Sequence, residues 1–435
     1  MSASAAAPAS AADTATLAGK AAQAAKAGNA EEAARLWAAV LEQDPNHPQA
    51  LLFLAARAVG RGDAAGARRM LERAVAAKPD DPMLWLNLAG TCAAARDAEG
   101  EWGALDRALA LQPRWYVPLL RRGMLLERMG RPRDAARAFD AALAVAPPGD
   151  AVAPHDRAAL QHAAQAVARD RTEKEAFLRA RIDAARRAVP DGEARRFDEC
   201  LDILTGKAKV YVQEPVQFHY PRLPAIPFLE RSGFPWLDAV EAATGDIRRE
   251  LMAVLAEDQE KLVPYIDYPD SVPLDQWREL NHSARWSAFH LLKNGLPVPE
   301  NAARCPKTMA ALAGAPGPDV PGRTPVAMFS LLKPRTRIPP HTGVANTRLV
   351  VHLPLIVPPG CGFRVGNEVR QWEVGKAWVF DDTIEHEAWN DSDELRVILI
   401  FDIWHPMLSE AERTLVRSLM QGIDAYEGVA AGMEL

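Results

Sequence analysis

Two stretches near the C-terminus decide the fold of the second half of this chain: TRLVVHLPLIV at residues 347–357 and LRVILIFD at residues 395–402. Side chains in both stretches alternate with a period of two, which is typical of β-strands. Apolar residues occupy both faces of each stretch, so both faces should be covered by other parts of the protein. Two polar side chains, His352 and Arg396, lie among these apolar residues.

The segments around these stretches also favour a β-sheet domain. From about Val212 the chain is rich in proline and aromatic residues, and it holds seven of the eleven tryptophans. Short β-branched segments separated by Pro, Gly and Asn turns predict strands at about 326–332, 347–357, 362–367, 370–374, 376–381 and 395–402. Many short strands with polar turns predict an antiparallel sandwich or jelly roll.

Arg396 needs an anion if it is buried, because an unpaired guanidinium is costly in an apolar interior. Asp402 lies on the same strand face, but six residues separate the two, a distance of roughly 20 Å along a strand. A carboxylate from a neighbouring strand could pair with Arg396. An acidic ligand entering the barrel could equally do so, and the strand pattern alone leaves both interpretations open.

The histidines add a more specific constellation. His341 follows an Ile-Pro-Pro segment, and His386 comes 45 residues later in an acidic segment, with Arg396 ten residues beyond it. Imidazole is a good ligand for Fe(II), and a barrel mouth can bring residues distant in sequence around one metal. The pattern therefore indicates non-haem Fe(II) chemistry, in which Arg396 would hold the far carboxylate of a 2-oxo diacid.

The motif around these residues resembles the aspartyl/asparaginyl β-hydroxylase family over roughly residues 212–406. Two upstream segments, 285–289 and 305–308, also match. The resemblance rests on the following segments: Phe329 to Pro334, His341-Thr342-Gly343, Arg348, His352-Leu353, Trp372 to Lys376, Phe380-Asp381-Asp382, Glu385-His386-Glu387, Trp389-Asn390, Arg396 and Asp402 to Pro406. It implies a double-stranded β-helix that uses Fe(II), 2-oxoglutarate as cosubstrate and O2.

The resemblance also implies roles for individual residues. His341 and His386 would be the iron ligands, and Ser330 and Arg396 would bind the distal carboxylate of 2-oxoglutarate. The remaining cosubstrate-binding residues would be His352, near the 2-oxo acid end, Trp286, in the pocket wall, and Arg348.

This chain departs from the family at one position and shares a gap with it at another. The family has a further arginine two residues before the His352 position, where this chain has Val350, with Arg348 two residues earlier. Gly343 stands where many related oxygenases supply a carboxylate ligand, and glycine has no side chain to coordinate. Since the resembling family shares this gap, water would fill the position.

The first third of the chain is a repeat with a period of 34 residues. Because glycine permits the turn between helices, small residues allow close packing and proline ends the second helix, the period predicts pairs of helices. It resembles the tetratricopeptide repeat, with four units and a degenerate third one. The repeating columns are Pro45, Pro79, Pro113 and Pro147; Gly28, Gly62, Arg96 and Gly130; and Ala33, Ala67, Glu101 and Ala135.

Together these features predict an α+β multidomain protein, in which an N-terminal α-helical tetratricopeptide-type solenoid precedes a double-stranded β-helix (jelly-roll) domain. The predicted parts are a disordered tail (1–15), four repeats (16–148), a helical linker or cap (149–211), the β-hydroxylase-like jelly roll (212–406) and a C-terminal helix (407–435). Lys+Arg 51 against Asp+Glu 57 gives a net charge of −6, which argues against a nucleic-acid-binding protein. We expect no membrane span and a cytoplasmic location, since the four cysteines are scattered and the N-terminus lacks the features of a signal peptide.

The sequence thus predicts a 2-oxoglutarate-dependent dioxygenase that hydroxylates the β-carbon of Asp or Asn in a protein or peptide presented by the repeats. One alternative is the same chemistry on a small molecule or a lipid acyl chain. The other is a non-catalytic binding protein in which only the repeats matter.

Overall fold

The computed structural model describes residues 11–257, 259–269, 271 and 273–427. The chain divides into two compact units at Lys207. We call the part up to Lys207 the repeat unit and the part from Ala208 onward the barrel unit, and each is described separately.

The repeat unit consists of α-helices, of which the first eight form four consecutive antiparallel pairs. Each pair is followed by the next after a short turn, as the 34-residue period predicts. The helices are α1 (Ala11–Lys26), α2 (Ala30–Gln43), α3 (Pro48–Gly60), α4 (Ala64–Ala77), α5 (Pro82–Ala94), α6 (Ala98–Leu111), α7 (Tyr116–Arg128), α8 (Pro132–Val145), α9 (Arg157–Arg187) and α10 (Asp191–Thr205).

The turn between the two helices of each pair has a left-handed backbone. Gly28, Gly62 and Gly130 have φ values of 81°, 81° and 71°, a conformation that glycine adopts without strain. Arg96 takes the same place in the third pair with φ 57°. Glu101, which replaces a column alanine in that pair, is buried and pairs with Arg128. The degenerate third repeat therefore keeps the geometry of the others and compensates its buried acid with an ion pair.

Close contact between helices depends on small residues in the repeat unit. A side chain at Gly123 of α7 would begin 2.2 Å from Cε1 of the Phe139 ring on α8, so no larger residue fits there. Gly103 of α6, by contrast, faces open space. The ring of Phe139 thus fills the gap that Gly123 leaves on the facing helix.

Helices α9 and α10 extend the repeat unit. The first half of α9 packs against α8 with Leu160, Ala163 and Val167. Farther along, Arg186 pairs with Asp198 of α10 at 2.9 Å, so this part of α9 presents a solvated, ion-paired face.

The N-terminal prediction needs a correction. Helix α1 begins at Ala11, inside the segment predicted as a disordered tail, so the prediction is wrong for residues 11–15. The segment is rich in alanine, the strongest helix former, and Asp13 lies in the first turn, where the helix dipole favours a negative charge. Residues 1–10 of the predicted tail lie outside the described residues.

In its described residues, the barrel unit combines five α-helices with eleven strands. The helices are α11 (Leu237–Ala242), α12 (Thr244–Glu257), α13 (Pro299–Arg304), α14 (Pro306–Leu312) and α15 (Glu410–Glu427). The strands are β1 (Val263–Pro264), β2 (Trp286–Lys293), β3 (Leu296–Pro297), β4 (Ala327–Leu332), β5 (Thr336–His341), β6 (Arg348–Ile356), β7 (Cys361–Val365), β8 (Glu368–Arg370), β9 (Trp378–Phe380), β10 (His386–Asn390) and β11 (Arg396–Trp404).

Two antiparallel sheets face each other in this unit. The larger has the order β1-β2-β4-β11-β6-β9, with β3 paired to β2, and the smaller has the order β5-β10-β7-β8. From β4 to β11 the chain passes back and forth between the two sheets, which is the topology of a double-stranded β-helix, or jelly roll. The predicted fold class is therefore confirmed.

The alternation in β6 and β11 separates two cores, as predicted. Leu349 and Leu399 belong to the apolar cluster that includes residues of α11 and α12, so helices cover the outer face of the large sheet. Val350 and Ile398 belong to a second cluster, which lies between the sheets. The inward-facing row of each strand therefore lines the interior of the barrel.

The strand predicted at 370–374 is wrong. The chain instead reverses at Gly366, with φ 58°, so that Glu368–Arg370 pairs back on β7. The tight turn starts the returning strand two residues earlier than the aromatic pattern suggested. Strands β1, β2, β3, β5 and β10 were not predicted.

Candidate active site

A cavity of about 220 Å³ lies between the two sheets of the barrel unit. All the residues that the sequence predicts for the site line it, although they come from six different strands. These residues are Trp286, Ser330, His341, Arg348, His352, His386 and Arg396.

His341 and His386 are brought together by strand pairing. His341 ends β5 and His386 begins β10, and the two are direct partners in the antiparallel register. Their ring centroids are 4.0 Å apart. Each Nδ1 lies against a backbone carbonyl, that of Pro339 at 2.8 Å and that of Ile384 at 3.1 Å. Since a carbonyl can only accept, Nδ1 carries the proton in both rings and Nε2 keeps its lone pair.

Both imidazoles are neutral near pH 7. Burial lowers the pKa of His386 from 6.5 to about 4. Burial, together with repulsion from His386, holds the pKa of His341 well below its usual value. A neutral ring with a fixed Nδ1–H is the form in which histidine binds metals.

Arg396 opens β11 and is buried, with 1% of its surface exposed. Its Nε and Nη1 have no hydrogen-bond partner in the described part of the chain. No carboxylate of the described residues forms an ion pair with it, so the cross-strand acid that the sequence left open is not found among them. Burial lowers the pKa of Arg396 to about 10, which still leaves the guanidinium charged at neutral pH. The buried guanidinium of Arg396 is therefore a suitable binding group for an anionic ligand.

Three neighbouring strands set the surroundings of Arg396. Trp286 of β2, Leu332 of β4 and Arg396 are aligned across the sheet. The indole Nε1 of Trp286 donates to Oγ of the buried Ser330 at 3.1 Å. The Trp286 ring in turn stacks on Tyr265, with centroids 3.8 Å apart. A packed indole therefore orients the hydroxyl of Ser330, which is paired with Ile398, two residues along β11 from Arg396.

His352 lies midway along the inward face of β6. It is buried, and its ring is 4.6 Å from that of Phe380 and 5.0 Å from that of Phe363. Burial, followed by the charge of Arg396, holds its pKa well below the usual value. Its Nδ1 has no partner among the described residues. The ring is thus neutral and has hydrogen-bonding capacity left for a ligand.

Arg348 faces acids at the other end of the cavity. Its Nη2 donates to Oδ2 of Asp382 at 3.0 Å. Asp402 lies on the same sheet face, because it is paired with Val350 while Arg348 is paired with Trp404. We call Arg348, Asp382 and Asp402 the polar wall.

The glycine at position 343 is required by this wall. A side chain there would begin 2.1 Å from Oδ2 of Asp382, and the Gly343 amide donates to the Asp382 carbonyl at 2.6 Å. The carboxylate of Asp382 therefore takes the space next to His341 into which a side chain at position 343 would project.

Sequence reasoning missed several residues of the site. Tyr265 and Trp277 line the cavity from a segment with no recognisable motif, and the Trp277 ring lies 5.0 Å from His341. Asp402 was considered only as a partner for Arg396 and set aside as too distant. Asp382 was given no role of its own, and its carboxylate contacts Arg348. The sequence could indicate that Arg348 and Asp402 are neighbours only if the pairing of β6 with β11 were already known.

The donor set fits the metal and the cosubstrate predicted from the sequence. Two neutral imidazoles suit Fe(II), and a buried unpaired guanidinium suits a carboxylate. Among the described residues there is no group of three or more His, Cys, Asp or Glu that could hold a metal. An ion held by His341 and His386 would keep its other positions for cosubstrate, oxygen and water.

The family model described as aspartyl/asparaginyl β-hydroxylase matches residues 241–406, and a tetratricopeptide-repeat model matches residues 24–86. An ornithine lipid ester-linked acyl 2-hydroxylase from Rhizobium tropici is 37% identical over 201 residues, which cover 46% of this chain and 67% of that protein. The chain belongs to the aspartyl/asparaginyl β-hydroxylase family. The resemblance stated from the motifs is confirmed.

For two other relatives, the matched region is a smaller share of the relative's own length. The human aspartyl/asparaginyl β-hydroxylase is 34% identical over 182 residues, 41% of this chain but 24% of that protein. The human aspartate β-hydroxylase domain-containing protein 2 is 32% identical over 208 residues, 46% of this chain and 53% of that protein. The chain thus spans about half or less of these two relatives. Among solved structures, one of the MamA protein is 19% identical, with a TM-score of 0.30, and covers 37% of this chain and 92% of that one.

None of the described helices combines the length and the apolar composition that are needed to cross a bilayer.

Proposed function

We propose that this chain is an Fe(II)- and 2-oxoglutarate-dependent dioxygenase that hydroxylates the β-carbon of Asp or Asn in a protein or peptide. The observation that carries the proposal is the cavity itself. It holds two neutral imidazoles 4.0 Å apart together with a buried guanidinium that has no acid partner among the described residues. Family membership makes hydroxylation the expected reaction.

His341 and His386 would hold the iron through their Nε2 atoms, because each Nδ1 is engaged by a backbone carbonyl. Iron, 2-oxoglutarate and O2 together supply the oxidation, with succinate and CO2 as co-products of the hydroxylated carbon. The chain's own contribution is to hold these groups in fixed positions and to exclude water from them.

Arg396 and Ser330 would bind the distal carboxylate of 2-oxoglutarate. Arg396 offers a charge and a planar pair of donors, and the Trp286 indole keeps the Ser330 hydroxyl oriented. His352 would bind near the 2-oxo acid end, since its neutral ring has an unpaired Nδ1. Arg348 would be a further cosubstrate-binding residue, and its charge is partly neutralised by Asp382.

A second candidate is hydroxylation of a lipid acyl chain. It is favoured by the Rhizobium tropici relative, whose name specifies acyl 2-hydroxylation. The cavity also has an apolar part, lined by Trp277, Phe363 and Ile398, that suits an acyl chain. The two candidates share the metal and cosubstrate residues and differ only in the substrate.

The repeat unit would present a protein or peptide substrate, since stacked helix pairs of this kind offer an extended binding surface. We also propose a cytoplasmic location. Cys92, Cys200, Cys305 and Cys361 are all free thiols, as expected in a reducing compartment.

The proposal is tested by succinate formation from 2-oxoglutarate with Fe(II), O2 and ascorbate. The wild type should release succinate even without substrate, and His341→Ala should not. Absence of succinate from the folded, iron-loaded wild type would leave only the non-catalytic alternative. Incubation with peptides and, separately, with ornithine lipid, scored by a mass gain of one oxygen, decides between the two substrates.

A further inference from the structure

The first helices of successive repeat pairs form one continuous face of the repeat unit. Helix α3 contacts α5, and α5 contacts α7 through Arg121, so these three helices lie side by side. Residues three or four positions apart share one side of a helix. Six residues that are exposed or partly exposed on these helices define what we call the first-helix face: Val59, Met83, Asn87, Gly90, Arg121 and Met124.

Arg121 reaches from α7 across the first-helix face to α5. Its Nη1 donates to the backbone carbonyl of Leu86 at 3.2 Å. Gly90 leaves room for the guanidinium, because a β-carbon at that position would lie 3.3 Å from the same nitrogen. The packing of two neighbouring repeats therefore fixes the position of this positive charge.

The charge of Arg121 has no ion-pair partner in the part of the chain that the structure describes. Burial lowers the pKa of Arg121, and the charges of Asp156 and Glu101 oppose this shift. Both acids are bound elsewhere. Asp156 accepts from the hydroxyl of Tyr116 at 2.7 Å, and Glu101 pairs with Arg128. Arg121 is thus a partly buried cation that can still accept a carboxylate.

Other arginines of the repeat unit differ from Arg121 in this respect. Each of the following forms an ion pair with an acid of the same unit: Arg57, Arg68, Arg122, Arg128 and Arg171. Among the six residues of the first-helix face, Arg121 alone is charged. Its apolar neighbours Val59 and Met83 are 47% and 46% exposed. The face therefore combines one unpaired positive charge with apolar side chains that are open to a partner.

We infer that the first-helix face binds an extended peptide segment in which an acidic side chain is flanked by apolar side chains. Charge complementarity decides the choice of partner, because a guanidinium pairs with a carboxylate through two parallel hydrogen bonds. The flanking side chains would bury the apolar surface of Val59 and Met83. The inference deepens the proposed role of the repeat unit in presenting a peptide, and it rests on that role but not on the iron chemistry.

The test measures the binding of two matched peptides to the full chain by fluorescence polarisation at pH 7.5. Both carry fluorescein at the N-terminus and an amide at the C-terminus, and they have the sequence Gly-Ser-Leu-Ala-X-Ala-Leu-Ser-Gly with Glu or Gln as X. The wild type should bind the Glu peptide about tenfold more tightly, the value of one charge-assisted hydrogen bond. Arg121→Gln should bring this ratio close to one, because an uncharged amide does not distinguish the two central side chains.

Two further variants separate the charge from the apolar contacts. Arg137→Gln is the matched control on α8, where the side chain is 79% exposed, and it should leave the ratio unchanged. Met83→Ala should weaken the binding of both peptides about threefold or more and leave their ratio unchanged, since it removes apolar contact area.

Equal binding of the two peptides by the wild type would overturn the inference, although the repeat unit would still bind peptides. An unchanged ratio in Arg121→Gln, unchanged affinities in Met83→Ala, or no saturable binding of the Glu peptide would overturn it as well. The same holds if the Gln peptide with a free C-terminal carboxylate binds as tightly as the amidated Glu peptide, because the face would then take a chain end. Succinate release without peptide reports on the proposed chemistry separately.

Discussion

Replacing Asp402 with asparagine is expected to stabilise the barrel unit above pH 6. The carboxyl is 4% exposed, and its Oδ2 has no partner among the described residues. Its Oδ1 accepts from the backbone amide of Val326 at 2.8 Å, a bond that the amide oxygen of asparagine can keep. The substitution therefore removes a buried charge with little change in shape or backbone contacts.

The magnitude follows from the pKa of Asp402. Burial raises it from the usual 3.8 to about 6, despite the opposing charge of Arg348. The difference corresponds to about 3 kcal/mol at ~1.36 kcal/mol per pH unit, an upper bound on the cost of ionisation. Because the folded pKa is raised, the folded chain binds the proton more tightly than the unfolded chain. Stability is thus lost as the pH rises from about 4 to about 6, and the cost is complete above that range.

Urea unfolding, followed by tryptophan fluorescence from pH 4.5 to 8, measures the effect. Hydrogen exchange of the β11 peptide localises it to the barrel unit. The stability gained by Asp402→Asn should grow with pH and level off above pH 6.5. The control Asp393→Asn, at a carboxylate that is 82% exposed, should show no such trend. A variant that is less stable than the wild type at pH 8, or a gain that does not change with pH, would refute the reasoning. A destabilising acid that persists in a binding cavity is the pattern expected of a functional group.

Three further outcomes are expected. His386→Ala should abolish Mn(II) binding, measured by electron paramagnetic resonance, whereas replacement of the exposed His219 should leave binding intact. Binding retained by His386→Ala would exclude His386 as a metal ligand. Arg396→Lys should raise the KM for 2-oxoglutarate about tenfold or more in the succinate assay, because lysine loses the planar pair of donors; an unchanged KM would place the cosubstrate elsewhere. Gly123→Ala should destabilise the repeat unit by about 1–3 kcal/mol in thermal unfolding, because the added methyl group would clash with the ring of Phe139. Gly103→Ala should instead stabilise it by up to about 1 kcal/mol, and similar effects of the two changes would contradict the packing argument.

The sequence predicted those elements of the fold that have a strong local pattern. The 34-residue period and the alternation in β6 and β11 are strong local signals, and both correspond to the structure. Strand β5 escaped because it contains Pro339 and Pro340, residues that normally argue against a strand. Strand β10 has only five residues, of which Glu387 and Trp389 are partly exposed, so its apolar pattern is weak.

The arrangement of the candidate site was harder to predict than its members. His341 and His386 could be singled out from the motif, but their pairing depends on the register of β5 against β10, which no local pattern encodes. The same holds for Asp402. Its distance from Arg396 along one strand excluded it as a partner for that residue, and its neighbour Arg348 belongs to a different strand.

The direct register between the two histidines has a consequence for how the chain matures. A slip of one residue between β5 and β10 would send one imidazole to the opposite side of the sheet, because side chains alternate along a strand. A mispaired molecule could then no longer chelate an ion with both rings. Under the proposed function, bound iron would therefore stabilise only those molecules in which β5 and β10 are paired in the correct register.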